Sequence, residues 1–310
     1  MIRKKRFQNR VAEGRWLLPL TVVLCSAVWW VSHEPTTTHI VSYVCWLFST
    51  WMMVEWNVRY NLLRTYSRLM AVVYALFTVM LGRTVEGCQP FIVQMALVSA
   101  FYLLMGCYND RNAPARVFYA FLAMGISSLF FFPLLLLMPL MWVVLILNMR
   151  MLSGRALMAS VLGYAVPYWV GLGLWCCNVD VIAQLQTLGA EHTFGWQIDF
   201  MSWTPLQLMT LGFMLLSAVL GMIHYLRQRF SDKSFVRLMY YCFLTGWVFC
   251  IVALCVMPHH FAFFAQMMAV FVAPLVAHLF THTYTRWTNL LFKLWLIALL
   301  SILAYSLWTV

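Results

Sequence analysis

The chain has 310 residues, of which 64% are hydrophobic and 9% charged, against roughly 25% charged in an average soluble domain. So few polar side chains cannot clothe a water-soluble fold of this length, and an aromatic content of 17% fits a non-aqueous surround. A formal net charge of +11 would suggest nucleic acid for a soluble protein; in an integral membrane protein it is first a topology signal, and no nucleic-acid partner is expected.

Residues 1–15 form a basic segment that precedes a single transmembrane domain, 16–310. The first apolar run, 16–32, has the basic flank of a signal peptide. Trp29 and Trp30 stand where cleavage needs small residues, which predicts a retained anchor. The second run, 39–54, leads into the polar segment Glu55–Arg68. There Asn57, Asn61, Arg64 and Arg68 recur at spacings of four, three and four, which predicts one polar helical stripe with Val58, Leu62 and Leu63 turned away and Glu55 four residues before Arg59. Two readings follow. The segment is an interfacial helix among anionic headgroups, or a cytoplasmic-side pocket in which Arg64 and Arg68 hold a phosphate or diphosphate with Asn57 and Asn61 as neutral donors.

The third run, 69–82, is short for the ~30 Å of hydrocarbon unless Arg68 and Arg83 snorkel from its ends. The run 91–108 follows, and then Pro133 and Pro139 divide 117–132 from 134–148, predicting either two thin spans or a re-entrant hairpin. The remaining runs are 156–176, 204–224, 238–256, 261–280 and 289–308. The sum is an all-α bundle of about eleven spans (nine to eleven), since the backbone must close its hydrogen bonds within each span and no barrel-like alternation is present. Placing the N-terminus in the cytoplasm and alternating sides puts nineteen of the twenty basic residues inside, with Arg83 the exception and the C-terminus outside. If 69–82 did not cross, the ten basic residues from Arg111 to Lys293 would face outward, so the charge pattern retains that span.

Candidate chemistry is sparse. External loops hold His33, Glu34, His39, Glu86, Asp180, Glu191, His192, Asp199, His259 and His260. Carboxylates and imidazoles of this kind act as general acids and bases where they converge, and Glu34, Glu191 and His192 are the catalytic candidates, set against plain solvation of polar loops. His278 and His282 form an i,i+4 pair at the cytoplasmic end of their span, with His224 the only other inner-side histidine; they are read as interfacial histidines or, failing that, as ligands to a metal or haem iron, and no metal or cofactor is expected. Gln94, Gln207 and Gln266 are candidate interhelical hydrogen-bonding groups. Of the nine cysteines, Cys25, Cys45, Cys107, Cys242, Cys250 and Cys255 lie in apolar runs as small hydrophobes, while Cys88, Cys176 and Cys177 approach polar boundaries. There is no Walker A loop, G-x-G-x-x-G, H-E-x-x-H or G-x-S-x-G, which disfavours ATP hydrolysis, Rossmann redox chemistry, zincin proteolysis and esterase-elbow chemistry.

The segment EWNVRYNLLRTYSRL and the later run FYAFLAMGISSLFFFPLLLLMPLMW, with Ser127, Ser128, Pro133 and Pro139, resemble an uncharacterised family of polytopic inner-membrane proteins from Bacteroidota over about residues 40–170. The resemblance implies a bacterial inner-membrane setting and transfers no catalytic residue. Some members carry a carotenoid-cleaving oxygenase label, which does not suit this chain: those enzymes are similar to soluble β-propellers with four iron-binding histidines, and neither feature is present. Three functions are therefore expected from the sequence: a carrier or flippase for a lipid-linked or amphiphilic substrate, with Pro133, Pro139, Pro167 and Pro274 as helix breaks around a cavity; a non-catalytic accessory subunit with a membrane-protein partner; and a polyprenyl-phosphate-dependent glycosyltransferase.

Overall fold

The computed structural model describes residues 6–32, 36–82, 84–85, 87–110, 113–149, 151, 153–177, 183 and 203–308. Its helices are α1 (Phe7–Ala12), α2 (Leu17–Ser32), α3 (Thr37–Tyr60), α4 (Leu69–Gly82), α5 (Gln89–Met105), α6 (Pro114–Phe130), α7 (Leu137–Leu147), α8 (Gly154–Cys176), α9 (Pro205–Gln228), α10 (Ser234–Val256), α11 (Phe261–His282) and α12 (Arg286–Trp308). Local signals set several of these ends. Thr36 and Ser153 accept the backbone N–H of His39 and Ala156 as N-caps, and Thr204 and Gln207 form a reciprocal capping box ahead of Pro205. Gln207 thus caps α9 instead of bonding across the bundle, which corrects the expectation for that residue.

Five segments among the described residues are long and apolar enough to cross a membrane: Gly154–Cys176, Pro205–Ser231, Ser234–Val256, Pro258–His282 and Arg286–Trp308. They differ sharply in burial. The apolar window of Pro258–His282 is wholly buried, whereas those of Gly154–Cys176 and Arg286–Trp308 are 22% buried. α11 is therefore the axis of the bundle, surrounded by α4, α5, α9 and α10, while α8 and α12 are peripheral. α4 is buried along its length apart from Leu76, so its shortness is accommodated by neighbouring helices. Such a bundle coheres by close packing and interhelical hydrogen bonds, because lipid offers apolar side chains the same refuge as the core. Gln94 Nε2 donates to the Gln266 carbonyl at 3.3 Å, and Trp46 Nε1 donates to Thr78 Oγ1 at 2.8 Å.

The proline-divided region resolves into α6, an extended Phe131, a 3₁₀ turn at Phe132–Leu136 and α7. Phe131 stacks on Phe263 at 4.0 Å beside His260, at the start of α11, and Met149 accepts the N–H of Asn109 back at the end where α6 begins. The chain therefore runs the full height of the bundle and returns. Pro133 marks the break, but Pro139 sits in the first turn of α7, where proline is tolerated. Pro167 and Pro274 lie inside the unbroken helices α8 and α11, so they are not the helix breaks expected. α6 and α8 approach closely through glycines: a Cβ on Gly163 would sit 2.4 Å from the Phe118 carbonyl oxygen, and one on Gly125 2.7 Å from that of Tyr164.

Every described lysine and arginine lies at one end of the bundle, where α3, α5, α7, α9 and α11 finish. The N-terminal segment is docked there. Gln8 donates to Thr283 Oγ1 at 3.0 Å and Asn9 to the Thr283 carbonyl at 3.2 Å, while Ser67 Oγ donates to the Ala12 carbonyl at 2.7 Å.

Candidate functional site

The segment expected to form one polar helical stripe does not remain helical. α3 stops at Tyr60, and Asn61 and Arg64 both adopt left-handed backbone conformations, with φ of 49° and 52°. The physical reason is burial: Leu62 and Leu63 are 0% exposed, and only a turn inward lets both reach the core. Asn57 holds that turn. Its Oδ1 accepts the Leu63 N–H at 2.9 Å and its Nδ2 donates to the Ser67 carbonyl at 2.8 Å, so Asn57 is a clasp for the loop and not the free donor its spacing suggested. Arg59 donates to Tyr102 Oη at 3.0 Å, with the Glu55 charge one turn earlier also acting on it.

The turn nevertheless borders an open cavity of about 310 Å³, lined by Val54, Asn57, Val58, Asn61, Arg64, Thr65, Tyr66, Ser67 and Arg68. The four residues singled out by the polar pattern all border it, together with an apolar wall from Val54 and Val58. Arg68 donates to the Arg15 carbonyl at 3.3 Å and to Tyr66 Oη at 3.4 Å. Pro133 and Pro139 do not line it. Glu34, Glu191 and His192 lie outside the described residues.

Arg64 connects the cavity to a second, buried group. It donates to the Ser231 carbonyl and its guanidinium stands 2.8 Å from Asp232 Oδ1; the Arg64 side chain is 32% exposed and that of Asp232 3%. The other carboxylate oxygen lies 3.4 Å from His278 Nε2 in α11. The His278 ring is 4.6 Å from that of His282 and 5.4 Å from that of His224, with Tyr240 5.0 Å and Tyr225 5.7 Å away. Burial acts to raise the Asp232 pKa, but the His278 contact and the Arg64 charge outweigh it and hold the carboxyl below its ordinary value. The Nε2 atoms of His224, His278 and His282 are buried without hydrogen-bond partners, and among the described residues no three His, Cys, Asp or Glu side chains are arranged to hold a metal ion.

Periodicity brings out the His278–His282 pair in the sequence, and the same reading marks His224 as the other histidine at that end. Asp232 was missed. It stands in the short run RFSDKS, which reads as a solvated turn, and only the packing of α9 and α10 against α11 turns it inward. Comparison with protein families, curated proteins and solved structures finds no match.

Proposed function

We propose that the chain is a carrier or flippase for a lipid-linked or amphiphilic substrate with an anionic head, with α2–α12 crossing a bacterial inner membrane. In this reading the basic end and the N-terminus face the cytoplasm and the C-terminus lies outside, as the positive-inside rule requires of a chain whose described cations share one end. The observation that carries the reading is the two-sided cavity at that end. Arg64 and Arg68 supply planar forks suited to phosphate oxygens, and Val54 and Val58 supply an apolar wall along which an acyl or prenyl chain can lie. Its volume of about 310 Å³ suits a headgroup rather than a whole lipid.

The test is reconstitution in liposomes carrying a fluorescent polyprenyl phosphate, with chemical quenching of the outer leaflet to follow movement. The expected result is translocation faster than in protein-free vesicles and slowed by Arg68→Ala. Movement no faster than in empty vesicles, together with no binding of anionic amphiphiles, overturns the carrier. A protein that binds but never moves the probe, and that co-purifies with a partner in mild detergent, would instead be the accessory subunit.

A further inference from the structure

The cavity and the histidine cluster share one carboxylate. Asp232 presents Oδ1 to Arg64, which lines the cavity, and Oδ2 to His278, which does not. We propose that His278, with His224 and His282 around it, is a proton-binding site coupled through Asp232 to the cavity, so that an anionic headgroup entering at Arg64 is accompanied by one proton.

The inference rests on the headgroup reading above, and its argument is one of charge balance. With the imidazoles neutral, Arg64 and Asp232 cancel, and the guanidinium is committed to Asp232 and Ser231. An anion entering the cavity must then compete with a carboxylate 2.8 Å from the same guanidinium. A proton taken up from bulk water converts the His278 imidazole into an imidazolium, whose Nε2 stands 3.4 Å from Asp232, and so gives Asp232 a second cation. The guanidinium charge is then no longer needed by Asp232 and is available to the anion. Conversely, an anion that draws Arg64 away leaves Asp232 buried and uncompensated, and a protonated His278 is the nearest remedy. Each event lowers the cost of the other, and linkage makes the effect reciprocal.

The surroundings suit a single proton. From α9, His224 and Tyr225 face His278, with the Arg227 charge also acting on His224; from α10, Tyr240 faces it. Arg229 is occupied by Tyr241 Oη at 3.0 Å, and Tyr225 donates to the Arg237 carbonyl at 2.9 Å. α1 contributes the neutral Gln8 and Asn9 at Thr283 with Arg10 exposed, Lys233 beside Asp232 is exposed, and α4 and α5 contain no charged residue. Among the described residues Asp232 is thus the one carboxylate facing the three imidazoles, and two imidazolium rings whose centroids are 4.6 Å apart would repel.

The experiment measures binding of dioctanoyl phosphatidylglycerol, whose phosphodiester charge stays constant, to the full-length protein in detergent by calorimetry. Titrations between about pH 5 and about 8, the window in which histidine changes charge, are run in two buffers of different ionisation enthalpy. The expected result is uptake of close to one proton per lipid near neutral pH, with affinity rising as pH falls, by at most about tenfold per pH unit. His278→Gln is expected to bind without proton uptake, and Asp232→Asn to bind more tightly at the alkaline end with the pH dependence lost. Should either variant not fold, the wild-type proton count decides alone. Binding that exchanges no proton and does not vary with pH overturns the coupling while leaving the headgroup cavity intact; no binding at any pH overturns the headgroup reading and the coupling with it.

Discussion

Substituting Asn57 by alanine separates two roles that the sequence alone confounds. Asn57 is 7% exposed, and its amide accepts from Leu63 N–H at 2.9 Å and donates to the Ser67 carbonyl at 2.8 Å. Both backbone partners belong to buried residues, with Leu63 at 0% and Ser67 at 4% exposure. Truncation leaves one donor and one acceptor unpaired at about 1–3 kcal/mol each, and because Asn57 and Ser67 both line the cavity, water there keeps the sum toward the lower end. The expected destabilisation is therefore about 2–4 kcal/mol, read by reversible unfolding in mixed micelles, and it should come with faster proteolysis between Asn61 and Arg68. Headgroup binding should weaken as a consequence of the collapsed turn. Asn57→Asp keeps the acceptor for Leu63 but sets an oxygen against the Ser67 carbonyl, so it should rescue only part of the loss. If Asn57→Ala unfolds within about 0.5 kcal/mol of the wild type while binding is lost, the clasp argument is wrong and Asn57 is a ligand donor after all.

Three further outcomes follow from the packing and charge arrangement. Gly163→Leu places side-chain atoms where even a Cβ would meet the Phe118 carbonyl at 2.4 Å, so it should destabilise the α6–α8 pair by at least the ~1–3 kcal/mol typical of overpacking; an unchanged thermal midpoint would contradict that close approach. Because the Asp232 carboxyl is held below its ordinary value, whatever stability its ion pair contributes is fully present above that ordinary value and is lost only as pH falls through the lowered one. Without an anionic ligand, unfolding curves for wild type and Asp232→Asn should accordingly stay a constant distance apart from about pH 8 to about 5, and a gap that changes across that window would contradict the assigned ion pair. Cys176 and Cys177 are exposed at the end of the bundle opposite the basic residues, and they should react with a membrane-impermeant maleimide from outside intact cells; labelling only after permeabilisation would reverse the proposed orientation.

Several parts of this molecule were legible in the amino-acid order because they depend on one-dimensional quantities. Run length and hydropathy located α2 to α12, and the described lysines and arginines gathered at one end of the bundle when the helices alternated. The burial of Cys25, Cys45, Cys107, Cys242 and Cys250 followed from their apolar surroundings, although Cys255 is exposed and Cys88 is buried. The polar pattern at Asn57–Arg68 marked the place where the cavity lies.

What the tertiary structure decided was how those residues are used. Helical spacing put Asn57, Asn61, Arg64 and Arg68 on one stripe, but the cost of leaving Leu62 and Leu63 outside the core ends the helix at Tyr60 and converts Asn57 into a clasp. No local pattern could assign α11 to the axis and α8 to the rim, because both are apolar all round and differ only in what surrounds them. Nor could it bring Asp232 to Arg64 and His278, residues far apart in the chain whose meeting depends on three helix ends converging. Hydropathy is a sum over neighbours in sequence, whereas a shared carboxylate is a property of neighbours in space.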